Sequence, residues 1–312
     1  MKLQKTFLFS LTTLFIVGCT AKTPYTNRSQ MIFVSQKEEL ALGEKSYKDA
    51  LSTSKVIVGT KDANRINNIG QRIAKVANRD DFNWEFNLVE NDSQNAFCLP
   101  GGKVVVYTGI LKVAKNDDQL ATVISHEIAH ALARHGAERM SASMVQQGIG
   151  VVGNIALGVT APQYQNLFNQ TYGIGSQVGV MLPYGRMQES EADEIGIYLM
   201  AQAGYDLNEA LKFWDNMSQG KNETIEFFST HPSSTTRIND IKALILKMKN
   251  NPTMLQKSSP TKENVNNLLG EKLYLIEKFL YLIKRYLYKQ LEHHHHLQAF
   301  QLIYQYLLVE LL

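Results

Sequence analysis

The chain carries His126-Glu127-Ile128-Ala129-His130, and no other feature constrains its folding as much. Two imidazoles four residues apart leave the same face of an α-helix, about one turn from each other. In this H-E-x-x-H spacing both can hold a zinc ion, with the carboxylate placed over the water that the metal activates. The surrounding segment must therefore be helical, and residues 119–135 carry the pattern. Leu120, Val123, Ile124, Ile128, Ala131 and Leu132 recur at helical spacing, and Asn116-Asp117-Asp118 offers an N-terminal cap. Of the eight histidines, four form the run at 293–296; the others are His126, His130, His135 and His231. The competing reading is a buried helix whose histidines are merely hydrogen-bonded. Two histidines and a glutamate on an apolar helix are costly without a partner, which favours zinc.

A catalytic zinc takes three protein ligands and keeps one position for water. The third candidate lies in Arg186-Met187-Gln188-Glu189-Ser190-Glu191-Ala192-Asp193-Glu194, with helical spacing continuing to a stop at Gly204. Glu189 and Asp193 share a face, so Glu189 is assigned as ligand and Asp193 as the acceptor for the far N–H of a ligand histidine. Glu191 and Glu194 share another face, expected to be solvated. His231-Pro232 precedes Ser233-Ser234-Thr235-Thr236-Arg237, a loop entering a capped helix. From that loop His231 can either hydrogen-bond the tetrahedral oxyanion or fill the open zinc position and keep the site latent. Arg237 is a candidate partner for Asp193 or Glu189. His135, about 140° around the helix from His130, cannot join the chelate and reads as part of a C-terminal turn.

Ahead of the metal helix, Asn95-Ala96-Phe97-Cys98-Leu99-Pro100-Gly101-Gly102 reads as a turn and Lys103-Val104-Val105-Val106-Tyr107 as a strand. A second strand, within residues 84–90, is expected beside it. Such a strand either forms an edge on which an extended peptide adds as another strand, or simply caps the core. On the first reading Asn95, Ala96, Pro100, Gly101 and Gly102 are substrate-binding candidates. Residues 144–182 are Gly-rich, which suits a lid over the cleft or closely packed helices. A spanning helix at 144–159 is disfavoured by Gln146, Gln147 and Asn154. Ser35 with Glu38 opens one structural helix as a capping box, Ile66, Ile69, Ile73 and Val76 stripe another, and Asp206 with Glu209 opens a third.

Residues 1–19 read as an export signal, with Lys2 and Lys5 before an apolar stretch. Ile16-Val17-Gly18-Cys19 resembles the lipobox of bacterial lipoproteins, which implies lipidation of Cys19 and a membrane attachment through that lipid. Thr20 in the next position implies the outer membrane, on its inner leaflet facing the periplasm. Lipidated Cys19 leaves Cys98 without a disulfide partner. Residues 20–34 read as a linker and 35–250 as the main domain. Residues 251–312 form a linker and a tail of tag-like, translated-flank or membrane-touching character. The net charge of +3 is too mild to argue for nucleic acid. No repeat, phosphate-binding Gly loop or Ser-His-Asp pattern occurs.

Taken together, residues 34–249 resemble the M48 zinc endopeptidase family, which includes the HtpX heat-shock proteases, the CAAX prenyl proteases and the mitochondrial Oma proteases. The likeness is strongest to its periplasmic lipoprotein branch. It rests on Asn95-Ala96-Phe97 with Leu99-Pro100-Gly101-Gly102, on Ser125 to His130, on Glu189-Ser190-Glu191-Ala192-Asp193, and on Thr230-His231-Pro232 with Arg237-Ile238. The resemblance implies an α+β, mainly helical, gluzincin-like domain with a small β-sheet beside the H-E-x-x-H helix. It implies one Zn2+ on His126, His130 and Glu189, with Glu127 as general base. It implies a role in clearing unfolded or misassembled envelope proteins. Cys98, where the family more often has a small residue, and the tail after Asn250 depart from its pattern. The rival from another class is a chaperone or assembly factor whose zinc site is structural or plugged.

Overall fold

The computed structural model describes residues 20–146, 151–152, 155–156, 161–172, 185–219, 231 and 235–256. In chain order its main unit comprises β1 (Thr20–Lys22), β2 (Ser29–Met31), α1 (Gln36–Ser52), β3 (Val56–Ile57), α2 (Lys61–Ala77), β4 (Glu85–Val89), β5 (Ala96–Leu99), β6 (Lys103–Tyr107), α3 (Thr108–Val113), α4 (Asp117–Leu132) and α5 (His135–Gln146). A separate ribbon pairs β7 (Val151–Val152) with β8 (Ile155–Ala156) in antiparallel register. The main unit continues with α6 (Ala161–Tyr172), α7 (Arg186–Gln202), α8 (Asn208–Gln219) and α9 (Thr235–Asn250), followed by a 3-10 turn at Pro252–Gln256. The architecture is mainly helical with small sheets, as the spacing and the resemblance imply.

Helix α4 lies at the centre. It packs along α7, is flanked by α2 and α8, and meets β5 on its remaining side. Every residue from Gln119 to Leu132 is buried, so this helix needs a cap that no neighbour can supply by packing. The Asn116 side chain provides it, accepting from the Gln119 backbone N–H at 2.9 Å. The other expected starts are also formed. Ser35 and Glu38 make a capping box on α1, and the Asp206 side chain accepts from Asn208 N at 2.9 Å ahead of α8. Ile66, Ile69 and Ile73 are buried on α2 against the core. Close approach of α7 to α4 depends on Gly196. A Cβ there would stand 3.3 Å from the backbone N of His126, so a bulkier residue would push the two helices apart.

The four-stranded sheet has the order β3-β4-β6-β5. Residues 84–90 do supply a strand beside β6, in parallel register from Glu85↔Lys103 to Val89↔Tyr107. The segment read wholly as a turn contains β5, antiparallel to β6. Consequently β6, the strand expected to form an edge, is paired on both sides, and β3 and β5 are the terminal strands. The true turn is Pro100-Gly101-Gly102, where Gly101 and Gly102 take φ of +88° and +80°, values that glycine adopts without strain.

Residues 20–34, read as a linker, instead form a β-hairpin, β1 pairing with β2 from Thr20↔Met31 to Lys22↔Ser29. Thr23, Tyr25, Gln30, Ile32 and Val34 are buried. At residues 151–152 and 155–156 the backbone is extended, so the disfavoured spanning helix at 144–159 does not form. Among the described residues no helix is long and apolar enough to cross a membrane. The export signal with Cys19, the glycines at 148–150, 153 and 173–175, the Ser233-Ser234 cap and the tail beyond 256 lie outside the described residues.

Candidate metal centre

His126 and His130 leave α4 on the face turned to α7, and Glu189 leaves the first turn of α7 towards them. Their Nε2 atoms are 3.1 Å apart. Glu189 Oε2 lies 3.4 Å from His126 Nε2, and Glu189 Oε1 lies 3.4 Å from His130 Nε2. A tetrahedral zinc with bonds of about 2.0–2.1 Å separates its ligand atoms by about 3.3 Å along each edge. Each imidazole thus stands about one such edge from the other and from one of the two Glu189 oxygens. With His231 they form a buried group of ligand atoms all within 4.8 Å of one another. The residues fit zinc.

His231 is the fourth member of this group. Its Nδ1 is 3.0 Å from Glu189 Oε1 and 3.4 Å from His126 Nε2. Its Nε2 faces Glu127 Oε1 at 3.6 Å. These distances put His231 within reach of the ligand group and of Glu127, where either expected role can be played.

Charge is arranged to receive a cation. Burial disfavours a carboxylate at Glu189, yet His231, His126 and His130 outweigh it and hold Glu189 well below the usual range. Burial likewise opposes charge on His126, but Asp193 and Glu189 overcome it and lift the imidazole to about 9. The same pull that retains a proton favours a metal. His130 goes the other way, pushed well down by burial, and is neutral as a ligand must be. Glu127 is fully enclosed, and desolvation raises its pKa against the opposing fields of His231 and His126.

Asp193 Oδ1 lies 3.0 Å from His126 Nδ1. Arg237 serves both candidate partners. It donates to Asp193 from Nε at 2.7 Å and Nη2 at 2.9 Å, and its Nη1 is 2.8 Å from Glu189 Oε2. Its guanidinium also lies 4.6 Å from the centre of the Trp214 ring. This pairing holds the carboxylate that stands beside His126.

Two residues depart from expectation. His135 does not end a helix; it begins α5 after a turn in which Arg134 has φ of 56°. It is fully buried, and its Nδ1 is 2.8 Å from His130 Nδ1. Glu191, expected in solvent, is buried, with Oε2 2.9 Å from His135 Nε2. Burial raises its pKa, but His135, Thr26, Thr23 and Arg28 together take it down to about 2. The sequence held a signal for both, since an imidazole and a carboxylate so near the motif are costly if unpaired.

The upstream candidates divide. Asn95 immediately precedes β5 and Ala96 begins it, with the Asn95 side chain accepting from Ala96 N at 2.9 Å. Along β5, Cys98 is a free buried thiol. Its pKa is raised by burial and by the charge of Glu127, which places this strand beside the motif. Pro100, Gly101 and Gly102, at the far end of β5, are seated elsewhere. A Cβ on Gly43 of α1 would meet Pro100, one on Gly101 would meet Leu40, and one on Gly102 would meet Trp84. The structure gathers the metal candidates and leaves this turn against α1.

Comparison with known proteins gives the same picture. The profile of peptidase family M48 matches residues 60–245. The mitochondrial metalloendopeptidase OMA1 of Saccharomyces cerevisiae is 33% identical over 255 residues, covering 75% of this chain and 71% of that protein. The beta-barrel assembly-enhancing protease of Yersinia pestis is 29% identical over 226 residues, 70% of this chain and 46% of the relative. That of Escherichia coli (strain K12) is 28% identical over 227 residues, 71% and 46%. The chain thus spans less than half the length of these bacterial relatives.

Proposed function

Because this chain belongs to peptidase family M48 and is a zinc metalloendopeptidase, we propose that it hydrolyses peptide bonds in unfolded or misassembled proteins of the bacterial envelope. One ion held by His126, His130 and Glu189 would supply a Lewis acid that brings the pKa of the attacking water to about 7. Glu127 takes the proton of that water and returns it to the leaving amine. Its desolvated carboxylate, with a pKa raised towards the working pH, suits both halves of that transfer. Asp193, held by Arg237, keeps His126 oriented. An extended substrate would add to β5, a terminal strand, with Asn95 and Ala96 at its entry.

The observation that carries this reading is the convergence of two imidazoles and the Glu189 carboxylate, all buried and 3.1–3.4 Å apart, beside the buried Glu127. Placement in the envelope, lipid-anchored through Cys19 in the outer membrane and facing the periplasm, is supported by the leader and lipobox-like residues. The name of the bacterial relatives, beta-barrel assembly-enhancing protease, agrees with it. The test is purified protein with an unfolded outer-membrane barrel protein or casein. Glu127→Gln should keep zinc and lose cleavage by about 100- to 10,000-fold. Cleavage at the wild-type rate by Glu127→Gln, or by protein stripped of metal, would sink the mechanism.

A second reading is favoured by His231. With its Nδ1 beside His126 Nε2 and Glu189 Oε1, ligation by His231 would close the site and make the protein either a latent enzyme or a client-holding module.

A further inference from the structure

His130 turns Nε2 towards His126 and Glu189, so its ring must be held through its other nitrogen. That nitrogen, Nδ1, lies 2.8 Å from Nδ1 of His135. His135 Nε2 lies 2.9 Å from Glu191 Oε2. A ligating Nε2 needs its lone pair, which puts the proton of a neutral His130 on Nδ1. That proton points at the lone pair of His135 Nδ1, and His135 keeps its own proton on Nε2, donated to Glu191. The polarity of the whole chain of contacts is thereby fixed.

Glu191 is gripped in turn by the amino-terminal hairpin. It accepts from Thr23 Oγ1 at 2.7 Å, from Thr26 Oγ1 and from Arg28 Nε at 2.7 Å. Arg28 also donates to both oxygens of Glu138 on α5, at 2.7 and 2.8 Å. The hairpin has further seats. Gln30 Nε2 donates to the Ala133 carbonyl at the end of α4, at 2.8 Å, and the Tyr25 ring stacks on Tyr198 at 5.7 Å.

We propose that His135 and Glu191 are positioning residues for the metal centre, set by the β1–β2 hairpin. Thr23, Thr26 and Arg28 fix Glu191, Glu191 fixes the tautomer of His135, and His135 fixes the ring and tautomer of His130. The inference rests on the zinc reading above. It explains why an imidazole stands at 135, since two ring nitrogens pass one hydrogen bond on to the next. It also makes the hairpin part of the site, through Glu191 and His135.

The test measures zinc affinity of the full chain by competition with a chromophoric chelator, and the visible absorption of the cobalt-substituted protein. His135→Leu should weaken zinc by about 10- to 100-fold and shift the cobalt bands. His135→Gln, which keeps an acceptor and a donor, should recover most of the loss. Paired Thr23→Val and Thr26→Val should weaken zinc in the same direction without touching α4, and this variant decides the matter if His135→Leu does not fold. Melting of the metal-stripped proteins separates a merely structural role, which would lower stability and leave zinc affinity alone. Wild-type zinc affinity in His135→Leu, or equal loss in the Leu and Gln variants, overturns the proposal. Failure of the wild type to take up zinc would overturn the metal reading itself, and this inference with it.

Discussion

His231 Nδ1 stands 3.0 Å from Glu189 Oε1 while its Nε2 looks towards Glu127 Oε1 at 3.6 Å. One imidazole thus faces both the carboxylate proposed as ligand and the carboxylate proposed as base. Removing it leaves three zinc ligands untouched, so His231→Ala should retain the metal. Where the closed state dominates, activity on casein should rise by about tenfold or more, because apparent competence scales with the open fraction. A fall in cleavage with zinc retained would instead assign His231 to the oxyanion. Silence in both proteins, with client binding intact, would favour the holding module.

Arg237 is a buried cation serving two buried carboxylates. Its replacement by Met keeps the volume and strands the charges of Asp193 and Glu189. The metal-free protein should lose about 3–5 kcal/mol of stability. Zinc should restore part of this, since it neutralises Glu189 directly. Urea unfolding with and without chelator measures both effects; an equal loss in the two conditions would mean that Arg237 acts only on Asp193.

The sequence showed the metal site wherever one helix carried the whole signal. His126 and His130 share a face of α4 with Glu127 beside them, and Glu189 with Asp193 shares a face of α7, so helical period together with the H-E-x-x-H motif and the family resemblance pointed to them. His135 and Glu191 were misread because their meaning comes from elsewhere. Glu191 is claimed by Thr23, 168 residues away, from a stretch too short and polar to read as anything but a linker. Strand β5 was hidden for a different reason. Ala96-Phe97-Cys98-Leu99 is buried at every position, so it lacks the alternation that marks a half-exposed strand, and the glycines after it read as turn.

Gly196 sets how closely the two ligand-bearing helices meet. Gly196→Val should cost about 1–3 kcal/mol through overpacking against the backbone at His126. Since the displaced helix carries Glu189 and Asp193, zinc affinity should fall as well. A chelator-competition titration that matched the wild type would show that the helices bend around the added methyls and leave the donors in place.

Glu209 on α8 holds the start of the metal helix. Its Oε2 accepts from Asn116 Nδ2 at 2.7 Å and Gln119 Nε2 at 2.8 Å, and Asn116 is the residue that caps α4. Nearby, Asp206 N donates to Asp118 Oδ1 at 2.8 Å, tying the same two helix starts. The hydrogen bond from Lys212, then those from Asn116 and Gln119, lower the Glu209 pKa to about 2. The unfolded chain has a glutamate near 4.3. A carboxyl with the lower pKa when folded contributes its stability above the unfolded value and loses it as pH falls through the folded one. The stability difference between wild type and Glu209→Gln should therefore be full above about pH 4.3 and shrink steadily towards about pH 2. Urea unfolding across that range checks it. A difference independent of pH would mean that the amide replaces the carboxylate at the cap and that charge contributes nothing there.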